Sequence, residues 1–362
     1  VLPVPQPGAL AGGQSTLIFD TKAQEPRLFI DAGGELQGFR WDGTMWRLMT
    51  LGGDHQPSPS SLIAYDIGRT RAVAFASATY ELVDDAWSFQ SSANVPSTSG
   101  ALGYDDGSDR LVYFGGALGF AQYADATWTW AGSGWQQLTT SGTPPARMLN
   151  ALAYDQRRGR IVMFGGLGSV DGRQLHLTDT WELSGNTWTQ APAEGPATLR
   201  DTPSMAYDQA RQRVVLWAAQ DEDDAKLWEY DGATWTGTDA PPNLGTAGVL
   251  GYDAASQRLL LHDADGRTWA RGSSTTAPGT PGSGPDGGVP NGAGAGGADG
   301  DGAGTGGEAD ADGGDGAHHG DGSSCAAIPG VASSAGAWTW LALVAAAYRR
   351  RRAQRGAIDA CA

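Results

Sequence analysis

Its first 324 residues contain no cysteine. The only two, Cys325 and Cys361, lie near the C-terminus. A disulfide framework is therefore excluded ahead of the tail, and that part must be held by core packing and strand pairing. Cationic residues are scarce as well: 24 Lys and Arg stand against 40 Asp and Glu, a formal charge of −16. That balance points away from nucleic acid as a partner. Ahead of residue 272 histidine occurs only as His55, His176 and His262, in unlike surroundings. No cluster has metal-ligand spacing, and neither a nucleophile motif nor a phosphate loop appears. No metal and no cofactor are expected.

What is present is repetition. An aromatic-Asp pair recurs at Phe19-Asp20, Tyr65-Asp66, Tyr104-Asp105, Tyr154-Asp155, Tyr207-Asp208 and Tyr252-Asp253. Successive Asp positions differ by 46, 39, 50, 53 and 45 residues. In five copies an Arg follows five residues after the Asp: Arg71, Arg110, Arg160, Arg213 and Arg258. In the first copy it comes later, at Arg27. An apolar run then begins. This predicts a hairpin of strands a and b, in which the Asp holds the turn by accepting backbone N–H groups and the Arg faces back to it. Asp105, Arg110, Asp155, Arg160, Asp208 and Arg213 are therefore read as structural, since a catalytic pair has no reason to recur in every copy.

A second hairpin, of strands c and d, is marked by aromatic pairs seven residues apart across turn-forming residues: Phe39/Trp46, Trp128/Trp135, Trp181/Trp188 and Trp228/Trp235. These rings are expected to fill the space between stacked units rather than to form a sugar-stacking surface. Four short antiparallel strands per period of about 45 residues cannot bury their own apolar faces, so the copies must stack. The predicted fold is all-β, a propeller of about six four-stranded blades over residues 15–271. The sixth copy shows three strands, and the Pro/Gly-rich leader 1–14 offers Leu2–Gln6 as a closing strand. A seventh blade lost upstream is the alternative.

The repeat resembles the kelch repeat of galactose-oxidase-like propellers. The residues that carry the resemblance are Phe114-Gly115-Gly116 and Phe164-Gly165-Gly166, then DATWTW from Asp125, DTWEL from Asp179, and the second Trp of each copy. The Gly pair is missing at Phe75-Ala76, Trp217-Ala218 and His262-Asp263. The family's Arg before strand a is matched by Arg147 and Arg200, and its following His is replaced by Asn150 and Pro203. The family's copper centre takes two Tyr and two His with a Tyr–Cys crosslink. A propeller with no Cys does not carry that chemistry over. Sialidase-type Asp boxes are approached only at Asp231 and Asp265, one residue short.

From 272 to 324 the chain is Gly, Ala, Asp, Ser, Thr and Pro-rich, with no Lys, Arg or aromatic residue. This composition predicts a disordered, acidic stalk. Its Asp-Gly pairs lack the apolar residue that a calcium-binding nonapeptide repeat requires. Residues 325–362 then run Cys325, an uncharged stretch to Tyr348, and Arg349, Arg350, Arg351 and Arg352. The uncharged stretch is long enough for a short transmembrane helix, and the Arg cluster is expected to stay cytoplasmic. The order resembles the MYXO-CTERM sorting signal. The resemblance implies an exported protein anchored at the cell surface or outer membrane, processed by a sorting protease at Cys325, with the membrane as a partner. An ordinary C-terminal membrane anchor is the other reading.

The functional expectation is a surface module that binds an extracellular protein or glycan. The alternative is a divergent extracellular enzyme acting on carbohydrate or a small molecule. The a–b and c–d turns are short and uniform. The b–c loops and d–a crossings, on the opposite face, are long and varied, and function gathers on such loops. Tyr123, Arg147, Asp171, Arg173, His176 and Arg200 are the candidate contacts.

Overall fold

The computed structural model describes residues 15–170, 172–193, 195–196, 203–219, 225–238, 240–241, 244–245 and 247–272. The expected leader, stalk and sorting tail, with Cys325 and Arg349 to Arg352, lie outside the described residues, as do Asp171 and Arg200. Among those described, six antiparallel sheets follow one another along the chain. Blade 1 has strands a to d at Ser15–Asp20, Glu25–Asp31, Leu36–Trp41 and Trp46–Leu48. Blade 2 has Leu62–Asp66, Arg71–Phe75, Thr79–Val83 and Ala86–Ser91. Blade 3 has Ala101–Asp105, Arg110–Phe114, Thr127–Trp130 and Trp135–Leu138. Blade 4 has Ala151–Asp155, Arg160–Val170, Arg173–Ser184 and Thr187–Gln190. Blade 5 has Ser204–Asp208, Arg213–Ala219, Ala225–Tyr230 and Trp235–Thr238. Blade 6 has only three described strands, Gly248–Asp253, Arg258–Asp263 and Thr268–Gly272.

Each strand a touches strand a of the next blade, and strand a of blade 6 touches that of blade 1, so the ring is closed. The chain is an all-β, six-bladed propeller of mostly four-stranded sheets. The 6-to-1 closure is made by side chains. Leu17, Leu28, Phe39, Trp41 and Trp46 of blade 1 pack with Leu260 and partly buried Val249 and Ala270 of blade 6.

The aromatic-Asp marker explains itself. The Asp carboxylate closes the a–b turn by accepting backbone N–H groups two or three residues on, as Asp20 does from Lys22 and Ala23 and Asp155 from Arg158. The ring before the Asp reaches the turn of the preceding blade: Tyr65 Oη donates to Asp20 at 2.7 Å. Tyr104, Tyr207 and Tyr252 accept backbone N–H groups from Gly68, Arg157 and Ala210.

The Arg expectation is corrected in part. Arg110 does lie back on Asp105, at 3.4 Å. Asp155 and Asp208 are instead held by Arg158 and Arg211, three residues on, each at 2.6 Å. Arg160 turns to Glu182 of strand c at 2.8 Å, while Arg213 donates to the carbonyl of Gln212. The reason is register. Strand c brings a carboxylate, Glu81 in blade 2 and Glu182 in blade 4, beside strand b, and that carboxylate collects two guanidinium groups.

The aromatic pairing also shifts. The residues directly opposed across c and d are five apart, Trp41/Trp46, Trp130/Trp135, Leu183/Trp188 and Tyr230/Trp235. The strand-d Trp faces the preceding blade, and its indole N–H donates to a Thr there. Trp46 bonds Thr268, Trp135 bonds Thr79, Trp188 bonds Thr127 and Trp235 bonds Thr180, all at 2.9–3.0 Å. Trp87 is the exception, and its buried indole N–H has no partner. Blade 1 has Gly38 opposite Phe29, where blade 2 has Thr79 opposite Phe75.

Candidate functional site

The a–b turns of one blade meet the c–d turns of the next on one face, as Lys22 meets Asp84 at 2.7 Å and Arg110 meets the Gly185 carbonyl at 2.7 Å. The b–c connections and the d–a crossings therefore share the other face, called here the wide face for its longer connections. In blades 3 and 4 the b–c connections are not irregular loops. Blade 3 builds a small hairpin from Ala117–Gly119 and Gln122–Tyr123. Blade 4 simply extends strands b and c, pairing Leu167 with His176 and Val170 with Arg173 beyond a bulge at Phe164/Gly166. The stretch read as a loop from Leu167 to Thr178 is thus part of a β-arm.

The two hairpins are fixed at their roots by the crossing between blades 3 and 4. Its Arg147–Met148 segment pairs with Gly168 and Leu167 of the arm. On its other side Arg147 N–H donates to Ala124, and Gly116 N–H donates to Arg147, at 3.1 and 2.9 Å. This is where the Phe-Gly-Gly motif acts. Gly115 and Gly166 have φ of +86° and +105°. A Cβ would lie 2.4 Å from the Arg147 carbonyl oxygen at Gly115, and 2.6 Å from that of Met148 at Gly166.

Arg147 itself is 0 % exposed. Its guanidinium forks onto Asp179 at 2.6 and 2.8 Å and also donates to the carbonyls of Pro145 and Gly165. It is a brace, and no face of it is open to a ligand. Asp179 remains ionised, its pKa lowered against burial by the hydrogen bonds and charge of Arg147. Tyr123, Arg173 and His176 do stand on the hairpins, and Gln174 Nε2 bonds Tyr123 Oη at 2.6 Å, tying one hairpin to the other. Arg173 and His176 are exposed and Tyr123 is half-buried.

Sequence reasoning passed over the most exposed residues of this region. Phe120 is 84 % exposed, Leu118 65 % and Leu175 45 %. They make up half of the six exposed large apolar side chains among the described residues. An apolar run in a b–c segment is the signal that could have found Leu118 and Phe120.

The central channel is a cavity of about 840 Å³ lined by strand a of all six blades and by residues of their a–b turns. Its described lining is mostly apolar, with Asp106 as its sole charged side chain. Asn150 lines it too. It is 4 % exposed, and neither atom of its carboxamide has a hydrogen-bond partner. Among the described residues no three His, Cys, Asp or Glu side chains gather as a metal site would require.

No protein family matches the sequence, and no curated protein is similar to it. Among solved structures, the one titled "Structure of YjhT" is similar to this chain at 10 % identity and a TM-score of 0.48, covering 62 % of this chain and 84 % of that one.

Proposed function

We propose that the protein is an exported, surface-anchored propeller that binds an extracellular protein or glycan on its wide face, at the paired hairpins of blades 3 and 4. The observation that carries this reading is the exposure of Leu118, Phe120 and Leu175 on two hairpins braced from within by Arg147 and Asp179. Rigid β-arms that hold apolar side chains in water are costly unless something covers them. Tyr123, Arg173 and His176 supply hydrogen-bonding and charged groups beside them, as a polar rim does around an apolar centre.

The test is to immobilise the full chain and probe it with a glycan array and with extracellular extract. Retention of a defined ligand, lost in Phe120→Ser with Leu175→Ser, supports the reading. Ligand capture that survives both changes but fails on substitution of the short-turn face rejects it. The anchoring part of the reading rests on the order of Cys325, apolar stretch and arginines. Mass spectrometry of the mature protein checks it beside Cys325→Ser. If the main surface form in both is an unmodified chain still carrying residues 326–362, a plain anchor replaces the sorting signal.

A further inference from the structure

The junctions between blades follow one plan. The last residue of the strand-b core sets an aromatic ring against the strand-d Trp of the next blade. The ring centroids lie 5.9 Å apart for Phe29–Trp87, 4.6 Å for Phe75–Trp135, 5.4 Å for Phe114–Trp188 and 5.3 Å for Phe164–Trp235. At the junction of blade 6 with blade 1, which closes the ring, the same place is taken by His262, edge-on to Trp46 at 6.2 Å. The closing junction alone among these five sets a titratable ring against the Trp.

The surroundings of His262 suit only its neutral form. It is 1 % exposed. Its Nδ1 lies 2.8 Å from Thr268 Oγ1, and that oxygen accepts the Trp46 indole N–H at 2.9 Å. The hydroxyl proton is then free to point at Nδ1, which leaves the ring proton on Nε2. Blade 1 sets the apolar side chains of Leu17, Leu28, Phe39 and Trp41 around Trp46 at this seam. Among the described residues, the charge acting on His262 is that of its neighbour Asp263, on its own strand. That carboxylate is already engaged by Arg267, at 2.7 Å, and by the backbone N–H groups of Asp265 and Arg267.

We propose that the junction of blades 6 and 1 is an acid-operated latch, in which protonation of His262 opens the ring at this seam while the other junctions stay shut. A proton on Nδ1 displaces the hydroxyl hydrogen of Thr268 from its acceptor and places a cation in the apolar seam. Opening the seam gives the cation to water. Burial lowers the His262 pKa from 6.5 to about 4, with Asp263 opposing. The closed form therefore gains its full advantage above pH 6.5 and loses it as the pH falls toward 4, a change in the open-to-closed ratio on the order of 100-fold. The carboxylate at a neighbouring kind of junction resists this range: Glu182, between blades 4 and 5, has its pKa lowered by Arg158 and Arg160.

Hydrogen exchange of the full chain at pH 7 and pH 4.5, corrected for the intrinsic rates, reads the latch. Strand d of blade 1 and strands b and c of blade 6 are expected to lose protection at least 10-fold at pH 4.5. Strand d of blade 5, where Trp235 meets Phe164, is the control and is expected to hold. His262→Phe supplies the ring the other junctions use, and His262→Gln keeps a polar group that does not titrate here. In either variant that folds at pH 7, the seam is expected to stay protected. Equal loss of protection in wild type and variant, loss spread evenly over all junctions, or no loss at the seam in wild type each overturn the proposal.

Discussion

The two faces of the ring are built from different amounts of repetition. On the face of the short a–b and c–d turns, called here the narrow face, one arrangement recurs: an Asp accepting the N–H groups of its own turn and, in most copies, a Tyr of the next blade reaching across to it. The turn-closing Asp is what the copies share, while the arginines around it differ from blade to blade. On the wide face, among the described residues, the Phe-Gly-Gly roots of blades 3 and 4 recur but the connections built on them do not. Blade 3 carries a short hairpin and blade 4 a long arm, and an ion pair of which only one copy is described, buried Arg147 with half-buried Asp179, holds their roots. A scaffold that repeats where it is structural and varies where it is exposed separates the two tasks by face. The sharpest ways to break this comparison are substitutions expected to differ between the faces.

The largest effect is expected at Arg147. Replacing it by Ala leaves the half-buried carboxylate of Asp179 without its guanidinium partner, a loss expected at about 3 kcal/mol, the lower end for breaking a buried pair. Thermal denaturation should show a loss that none of the narrow-face arginines equals, because Arg71 and Arg110 are partly exposed and share their load. A loss no greater than that of Arg110→Ala would show that the wide face is not anchored through this residue.

Next is Glu182, which binds Arg158, Arg160 and Tyr230 Oη together between blades 4 and 5. Its folded pKa is depressed, so its contribution is fully present above the unfolded value near 4.5 and disappears as the pH falls through the lower, folded value. Glu182→Gln is expected to cost about 1–3 kcal/mol at neutral pH. In a pH series of urea midpoints the gap between variant and wild type should narrow in acid. A gap that stays constant to pH 2 would count against this network.

A smaller and cleaner effect separates two tryptophans. Trp188 donates to Thr127, whereas the indole N–H of Trp87 has no partner. Both are buried, at 2 % exposure, and both pack on a Phe. Trp188→Phe should therefore cost about 1 kcal/mol more than Trp87→Phe, the net value of one hydrogen bond. Equal costs would mean that the indole–Thr bond contributes nothing to the joining of blades.

How far these features were legible follows from which forces are local. The blade count came from the six aromatic-Asp pairs, because each Asp closes a turn within three residues of itself, and such bonds are written in adjacent sequence. The third strand of blade 4, carrying Glu182, was legible as a strand, that of blade 2 with Glu81 was not, and the role of either carboxylate as a second collector of arginines was not. That role depends on the register between b and c, which spacing does not give. The opposed Trp pairs were displaced by two residues for the same reason. The β-arm was hidden because Leu167 to Thr178 contains Gly168 and Gly172 among polar residues and reads as a loop. Arg147 was legible as a marked position, but its burial depends on Asp179, 32 residues away.

The smallest expected effect on stability, and the most informative for function, is at the tip of the blade 3 hairpin. Phe120 follows Gly119 and precedes Ala121, which takes φ of +55°, so a tight turn presents the ring at 84 % exposure. A residue so exposed adds little to folding, and Phe120→Ser should leave the melting midpoint within the change of about ±0.5 kcal/mol usual for surface sites. Leu175→Ser, on the other hairpin, should behave the same way at 45 % exposure. If the wide face is a binding surface, these two changes should weaken ligand capture by at least 10-fold while denaturation curves superimpose. A loss of stability above about 1 kcal/mol in either variant would mean that the side chain belongs to the scaffold. The two faces would then differ in the shape of their loops but not in their task.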